Sequence, residues 1–585
     1  MADEKGIIDM PGTNRRMSVG QAYNDRRASR VSAVQRKESV SRHFSEDRRP
    51  SAGIINDAAN ATEAEQKMTV WQGIKSYPAA IGWSVCFSSA IIMEGYDLTV
   101  LGSFWPNDNF QDYFGNTINP EDGTPLVAPS WQAGIGNAML IGQILGLFIA
   151  GIIADKFGFK KVMAGALAFV IGVIFILFFS TSVVMLLIGE VLMGFPLGVF
   201  QTLTVTYASE VCPVVLRPYL TTYVNLCWVI GQFIASAVVK GTSGSLSGEL
   251  SFRIPWALQW VFPIPILVGV ILAPESPWWL VRKGRLDDAR KAIVRLASKT
   301  DLVKPDEQIA MMVHTDELEK EINSGTTYFD CFKGVDLRRT EVAVGVWMCQ
   351  NLCGSGLMGA ASYFYSAAGL AQSDAYSLQL GQFGLGIVGV LVSWWAMTYV
   401  GRRTLYVWGL LVLCCLVFIV GFMSLAPGAR NSENPNVAVS WASGSMILVF
   451  TGIYNFTVGP VCYSLVAEMP STRLRQKTVV LARNFYNVCG IMLGVLIPYM
   501  LNPAAWNLMG ASGFVWGGTG FLCFVWAFFR IPEPKGRTFA ELDVLFERRV
   551  PARKFKETDV DLYSVDIDHA AAELARIKPG GGGGH

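Results

Sequence analysis

The sequence predicts an all-α membrane protein with twelve transmembrane helices in two six-helix halves. Three observations lead there. The 585-residue chain is 51% hydrophobic and 16% charged, with a mean hydropathy of +0.36, too apolar for a soluble multidomain chain of this length. About twelve stretches approaching the roughly 20 apolar residues that cross a bilayer follow one another between Ala79 and Arg530. The two sets of six also echo each other's motifs.

Residues 1–75 are rich in Ser, Arg and Asp without apolar periodicity, and read as a disordered cytoplasmic tail. No cleavable signal is visible in it, so the first span is expected to act as its own insertion signal. Arg15-Arg16-Met17-Ser18, Arg26-Arg27-Ala28-Ser29 and Arg48-Arg49-Pro50-Ser51 have the form of basophilic kinase sites. Kinase regulation of the tail and chance matches in a biased segment are both open readings. Residues 76–273 hold the first six spans. Residues 274–340 turn charged, and the apolar spacing of Leu286–Leu296 suits a short amphipathic helix, so this stretch is expected to be a cytoplasmic linker. Residues 341–530 hold six more spans, and 531–585 form a cytoplasmic tail with a surface helix over Phe539–Glu547.

Net charge is +2, and its distribution is more informative than its size. Basic residues gather in alternate loops, including Lys156, Lys160 and Lys161, Arg217, Arg282 and Lys283, Arg402 and Arg403, and Arg473, Arg475 and Lys477. The intervening segment from Pro106 to Ser130 carries Asp108, Asp112, Glu121 and Asp122 instead. The positive-inside rule then puts both termini in the cytoplasm. Nearly all of the eleven cysteines fall in apolar segments, so no extracellular disulfide framework is implied.

The halves repeat. Glu210…Arg217 parallels Glu468…Arg475, and Pro274-Glu275 parallels Pro532-Glu533, both at an interval of 258 residues. Gly158 and Gly401 sit in the two basic turns. Ionisable groups inside spans cost several kcal/mol unless paired or hydrated, and four stand out: Glu94 and Asp97 in span one, Glu190 in span four and Arg483 in span eleven. Glu94 and Asp97 are three apart and so expected to share a helix face. For each of the four, structural polar contact is the competing reading. The four histidines, His43, His314, His569 and His585, lie outside the spans, so any proton carrier is expected to be a carboxylate. No metal-ligand histidine cluster, phosphate loop or nucleophile with a base is found, and an enzyme, a cofactor, a metal and a nucleic-acid partner are not expected.

These residues carry a resemblance over nearly the whole membrane region. Gly95-Tyr96-Asp97, Gly151…Asp155-Lys156-Phe157-Gly158…Lys160-Lys161, Glu210…Pro213…Arg217, Pro274-Glu275-Ser276-Pro277, Gly401-Arg402-Arg403, Gly459-Pro460…Glu468 and Pro532-Glu533-Pro534-Lys535 together resemble a sugar porter of the major facilitator superfamily. Met93-Glu94-Gly95-Tyr96-Asp97, Tyr207…Cys212-Pro213 and Leu220…Gln232 are most similar to fungal α-glucoside (maltose-type) proton symporters.

The resemblance implies a secondary transporter that imports a disaccharide with protons by rocking one half against the other, in the plasma membrane. Proton coupling would rest on Asp97, Glu94, Glu190 and Arg483. Glu190 stands where relatives place an arginine, so a carboxylate cluster with Arg483 as counter-charge is expected. Gln143 stands where the α-glucoside group tends to carry a glutamate. Gln232 and Gln350 match sugar-binding amides, Asn351 and Gly356 are smaller replacements that leave room for a second sugar ring, Tyr463 stands in for a stacking tryptophan, and Asn484 is a further pocket candidate. Asp155, Glu210 and Glu468 beside Lys160, Arg217, Arg402 and Arg475 are expected to latch the halves on the cytoplasmic side, with solvated loop charges as the alternative. Thr398 replaces an acidic residue in the second basic turn. A sugar sensor of the same fold and a proton-independent facilitator remain the rival readings.

Overall fold

Apolar runs bounded by Pro, Ser and Gly become the helices. Pro78 and Pro129 open two of them at a position where a missing N–H costs nothing, and the Ser182 hydroxyl accepts the Met185 N–H at the start of another. The computed structural model describes residues 7–8, 17–18, 68–118, 123–213, 215–298, 304–323, 327–367, 370–427, 437–471, 474–502, 505–535 and 539–558. The kinase-type motifs lie outside these, apart from Met17 and Ser18, which form a two-residue antiparallel ladder with Ile7 and Ile8.

The first six spans are α1 (Pro78–Phe104), α2 (Pro129–Phe157), α3 (Phe159–Phe178), α4 (Val183–Val211), α5 (Tyr219–Ser245) and α6 (Leu250–Leu272). Next comes α7, broken into Gly334–Leu352, Ser355–Gly359 and Ala361–Ala367. The last five are α8 (Gln372–Tyr399), α9 (Arg402–Met423), α10 (Ala438–Glu468), α11 (Lys477–Leu501) and α12 (Met509–Arg530). All but α7 are long and apolar enough to cross a bilayer on their own account. The break in α7 falls at Gly354, whose φ of 103° is left-handed. Its first helix starts at Gly334, ahead of the expected 341, because its charged opening turns pack against the C-terminal segment: the Arg339 guanidinium lies 4.5 Å from the Phe546 ring centroid.

Apolar side chains face both inward and outward. Ile141, Leu145, Phe148 and Ile152 form an exposed stripe along α2, the surface a helix presents to lipid. Between helices, backbones approach closely. A Cβ on Gly95 of α1 would meet the Trp228 carbonyl of α5, and one on Gly231 would meet that of Ile92. Gly142 and Gly146 of α2 face Gly194 and Gly198 of α4 in the same way, the small-residue spacing that drives helix association in lipid.

The expected helices at Leu286–Leu296 and Phe539–Glu547 both form. The linker also contains Pro277–Arg282 and Pro305–Asn323. It is fastened by Trp279 Nε1 donating to Asp155 O (3.0 Å) and by Arg295 Nη2 donating to Leu272 O (2.7 Å) at the end of α6.

The sequence repeat becomes a repeated contact. Glu275 accepts the backbone N–H groups of Phe159 (3.0 Å) and Lys160 (3.3 Å) at the start of α3. Glu533 accepts those of Arg402 (3.0 Å) and Arg403 (3.2 Å) at the start of α9. Each carboxylate meets orphan donors at the positive end of a helix. Burial raises the Glu275 carboxyl above its ordinary value, against the pull of the N–H groups that hold it. Gly158 has φ 92°, and a Cβ there would press on the Glu275 carboxylate.

Gly158→Ala is therefore expected to cost about 1–3 kcal/mol, read as a lower melting temperature of the purified protein. Gly165→Ala, where a Cβ meets nothing within 4 Å, is expected to cause no loss.

Candidate functional site

The four ionisable groups expected inside the spans are all buried or largely so, and they divide into two networks rather than one. Three residues along a helix leave side chains about 60° apart around the axis and about 4.5 Å apart along it, and at that separation Glu94 and Asp97 meet different neighbours. The single carboxylate cluster expected with Arg483 as its counter-charge is thereby divided.

Glu94 faces the other half. Its Oε1 accepts from Gln201 Nε2 of α4 (2.5 Å) and Gln143 Nε2 of α2 (3.4 Å), and lies 3.8 Å from Arg483 Nη2 of α11. Arg483 Nε donates to Gln201 Oε1 (2.9 Å), so one amide bridges cation and anion. The guanidinium also lies over Trp347 (4.6 Å) and Tyr486 (4.5 Å), a cation–π arrangement that strengthens away from water. Tyr463 meets Trp347 edge-on, with ring centroids 4.8 Å apart.

Asp97 lies within the first half. Its Oδ1 accepts from Gln259 Nε2 of α6 (2.5 Å), while Oδ2 and both oxygens of Glu190 have no donor among the described residues. The group facing Glu190 is the Asp97 carboxyl itself. Two ionised carboxylates offer acceptors only, so neither can supply the donor that the other lacks.

The expected sugar-pocket residues converge only in part. Gln350 Nε2 donates to Gly459 O (3.3 Å) and Asn351 Nδ2 to Tyr486 O (2.9 Å), tying α7 to α10 and α11. Tyr463 meets Trp347, one turn before them on α7. Asn484 Nδ2 donates to Val480 O of its own helix (3.0 Å), leaving Oδ1 without a donor. Gln232 lies on α5 in the other half, buried, with Oε1 likewise without a donor. Gln201, Gln259, Trp347 and Tyr486 were missed from sequence; a polar amide in an apolar span was the available signal for the first two.

The ends of the bundle differ. Away from the linker the halves are joined: Ser103 Oγ donates to Gln379 Oε1 (3.1 Å), Tyr376 OH to Ser103 O (2.8 Å), and Gln372 Nε2 to Pro106 O. At the linker end the charges expected to latch the halves pair inside each half. Glu210 takes Arg282 (2.7 Å) and the Ser276 hydroxyl, because the linker helix after α6 docks beneath α4. Glu468 takes Arg402 (3.1 Å) and Ser464 (3.0 Å). Arg217 Nε donates to Cys212 O (3.4 Å). Asp155 and Lys160 contribute backbone groups, the Asp155 carbonyl to Trp279 and the Lys160 N–H to Glu275. Arg475 opens the helix that continues as α11. At Thr398 the carbonyl receives Lys535 Nζ (2.9 Å).

The Sugar (and other) transporter family profile matches residues 83–546. Over 528 residues the chain is 41% identical to a maltose permease of Saccharomyces cerevisiae, covering 89% of this chain and 84% of the relative. It is 40% identical over 514 residues to the general alpha-glucoside permease of that organism, covering 87% and 82%. Among solved structures it is similar to the proton:xylose symporter XylE bound to 6-bromo-6-deoxy-D-glucose, with TM-score 0.63 and 18% identity over 80% of this chain and 99% of that one. It is also similar to inward-open XylE of E. coli, with TM-score 0.60 and 17% identity over 80% and 99%. At those identities the likeness shows the fold, that of the major facilitators.

Arg483→Gln leaves Glu94 buried without its cation and is expected to cost about 3–5 kcal/mol. Adding Glu94→Gln is expected to restore about 1–3 kcal/mol of it. A double-mutant cycle on the melting of the purified protein checks both; strict additivity would show that the two groups do not interact.

Proposed function

The chain belongs to the sugar transporter family of the major facilitator superfamily, and from that premise we propose that it imports an α-glucoside, a maltose-type disaccharide, by proton symport. The observation that carries this reading is the Glu94–Gln201–Arg483 contact between the halves, with the Asp97–Glu190 carboxyl pair one turn away on α1. An ion pair between rocking halves must be made and broken in each cycle, and a proton on Glu94 removes half of it. Asp97 and Glu190 form the adjacent proton store. Protonation and alternating access are thereby coupled through charges that the bilayer interior does not tolerate unpaired.

The substrate class rests on the relatives, whose names specify maltose and alpha-glucosides. For binding we assign Gln232, Gln350, Asn351, Tyr463 and Asn484. Gln232 Oε1 and Asn484 Oδ1 have acceptor capacity to spare, suited to sugar hydroxyls, and the aromatic group around Trp347 suits the C–H face of a pyranose. Asp155, Lys160, Glu210, Arg217, Arg402, Glu468 and Arg475 are assigned to the gate at the linker end, where within-half pairs exchange partners when that side closes. Weak, partly exposed pairs of roughly 0–1 kcal/mol suit repeated exchange. The basic loops favour a cytoplasmic linker and cytoplasmic termini, in the plasma membrane.

Uptake of radiolabelled maltose, sucrose, lactose and cellobiose into transporter-deficient yeast, at about pH 5 and about pH 7.5 with and without a protonophore, tests the proposal. Accumulation of maltose at acid pH, abolished by the protonophore, is expected. Equilibration indifferent to pH would identify a facilitator, and surface expression without uptake would favour a sensor. Asp97→Asn and Glu190→Gln are each expected to reduce accumulation by about tenfold or more while leaving sugar exchange across the membrane measurable. Full accumulation in both variants would remove the carboxyl pair from the mechanism.

A further inference from the structure

At the linker end of the second half, the start of α7, the end of α12 and the segment after Phe539–Glu547 border an open cavity of about 470 Å³. Arg338, Arg530, Arg549 and Arg553 line it together with Phe529 and Phe546, and no acidic residue does. Arg530 is neutralised by Glu341. Arg549 and Arg553 have no ion-pair partner among the described residues.

The arginines are held in place. Arg338 Nη2 donates to Val550 O (2.9 Å), with its guanidinium 5.3 Å from the Phe546 centroid. Arg553 lies over Phe528 (5.4 Å) and Phe529 (5.3 Å). A guanidinium stacked on a ring keeps its N–H edge free to grip planar or tetrahedral oxyanions. Arg549 has a left-handed backbone, φ 52°, at the turn where Val550 N donates to Leu545 O (3.1 Å) and Arg549 N to Phe546 O (3.0 Å). That turn favours glycine, yet the chain places an arginine there, beside the cavity. Strained backbone of this kind points to a role for the side chain.

Position decides the ligand. Phe529 and Arg530 are the last two residues of α12, and Phe529 is 54% exposed at that end of the span. The cavity thus lies where the hydrocarbon region ends and phosphates begin. We propose that it binds the phosphorylated headgroup of an anionic membrane lipid, with Arg549 and Arg553 donating to phosphate oxygens and Phe529 against the start of an acyl chain. Loop charges that serve topology alone require neither a cavity, ring-stacked guanidiniums nor a left-handed arginine. The proposal is independent of which sugar is carried.

The test is native mass spectrometry of the purified full chain titrated with phosphatidylcholine or phosphatidylinositol 4-phosphate, and separately with soluble inositol bisphosphate. The phosphoinositide is expected to be retained about tenfold more tightly than phosphatidylcholine, and Arg549→Gln/Arg553→Gln to abolish that preference. Lys283→Gln/Lys291→Gln, which removes two charges from the linker helices, is expected to keep it. Melting in phosphatidylcholine, unchanged by either double substitution, verifies folding. No preference for the anionic lipid, or equal loss in both double variants, would overturn the proposal. Soluble inositol bisphosphate competing as well as the whole lipid would assign the site to a free phosphate instead.

Discussion

A cation buried where two helical bundles meet has few solutions in a medium without water. Arg483 has three: a carboxylate at 3.8 Å, an amide oxygen at 2.9 Å, and the faces of two aromatic rings. These partners come from α1, α4, α7 and α11, so matching one charge fixes the relation of both halves. A charge at the bilayer centre left unmatched costs about 2.5–3.5 kcal/mol even on lenient scales. In the symport we propose, the same cost makes the contact a switch, because motion that separates the halves must first neutralise or rehouse both partners.

That charged centre depends on close helix packing, and the packing depends on small residues. Gly95 and Gly231 let α1 and α5 touch backbone to backbone, which turns Glu94 towards the interface and leaves Asp97 facing α4 and α6. The facing glycines of α2 and α4 bring Gln143 and Gln201 to the same carboxylate. With no hydrophobic drive between helices in lipid, such dispersion contacts and interhelical hydrogen bonds supply the association. At the linker end a second device recurs in both halves, a distant glutamate seated on the first N–H groups of α3 and of α9. The contact is present in each half. The charged centre differs between the halves, with its carboxylates in the first and its cation in the second.

The asymmetry also runs along the bundle axis. Hydrogen bonds join the halves away from the linker, while ion pairs at the linker end stay within each half. A conformation closed at one end follows from which polar groups find partners across the interface, and hydroxyl and amide contacts are individually weak enough to exchange.

Much of the fold was legible in the residue order. An apolar run of about 20 residues in a bilayer must satisfy its own backbone, so it becomes a helix whatever surrounds it. The spans, the repeat interval, the helices at Leu286–Leu296 and Phe539–Glu547, and the rarity of Glu94, Asp97, Glu190 and Arg483 all followed from such local rules. Partner choice did not. That Glu210 would take Arg282, that Glu94 and Asp97 would enter separate networks, and that Gln201 would bridge Glu94 to Arg483 depended on how far each helix is rotated about its axis. Rotation is set in part by glycine contacts between helices distant in the sequence, and no periodicity within one helix encodes it. The sequence by itself determined which residues had to be buried at a cost; the tertiary structure alone decided which of them meet, because burial is a property of a segment and pairing is a property of the packing between segments.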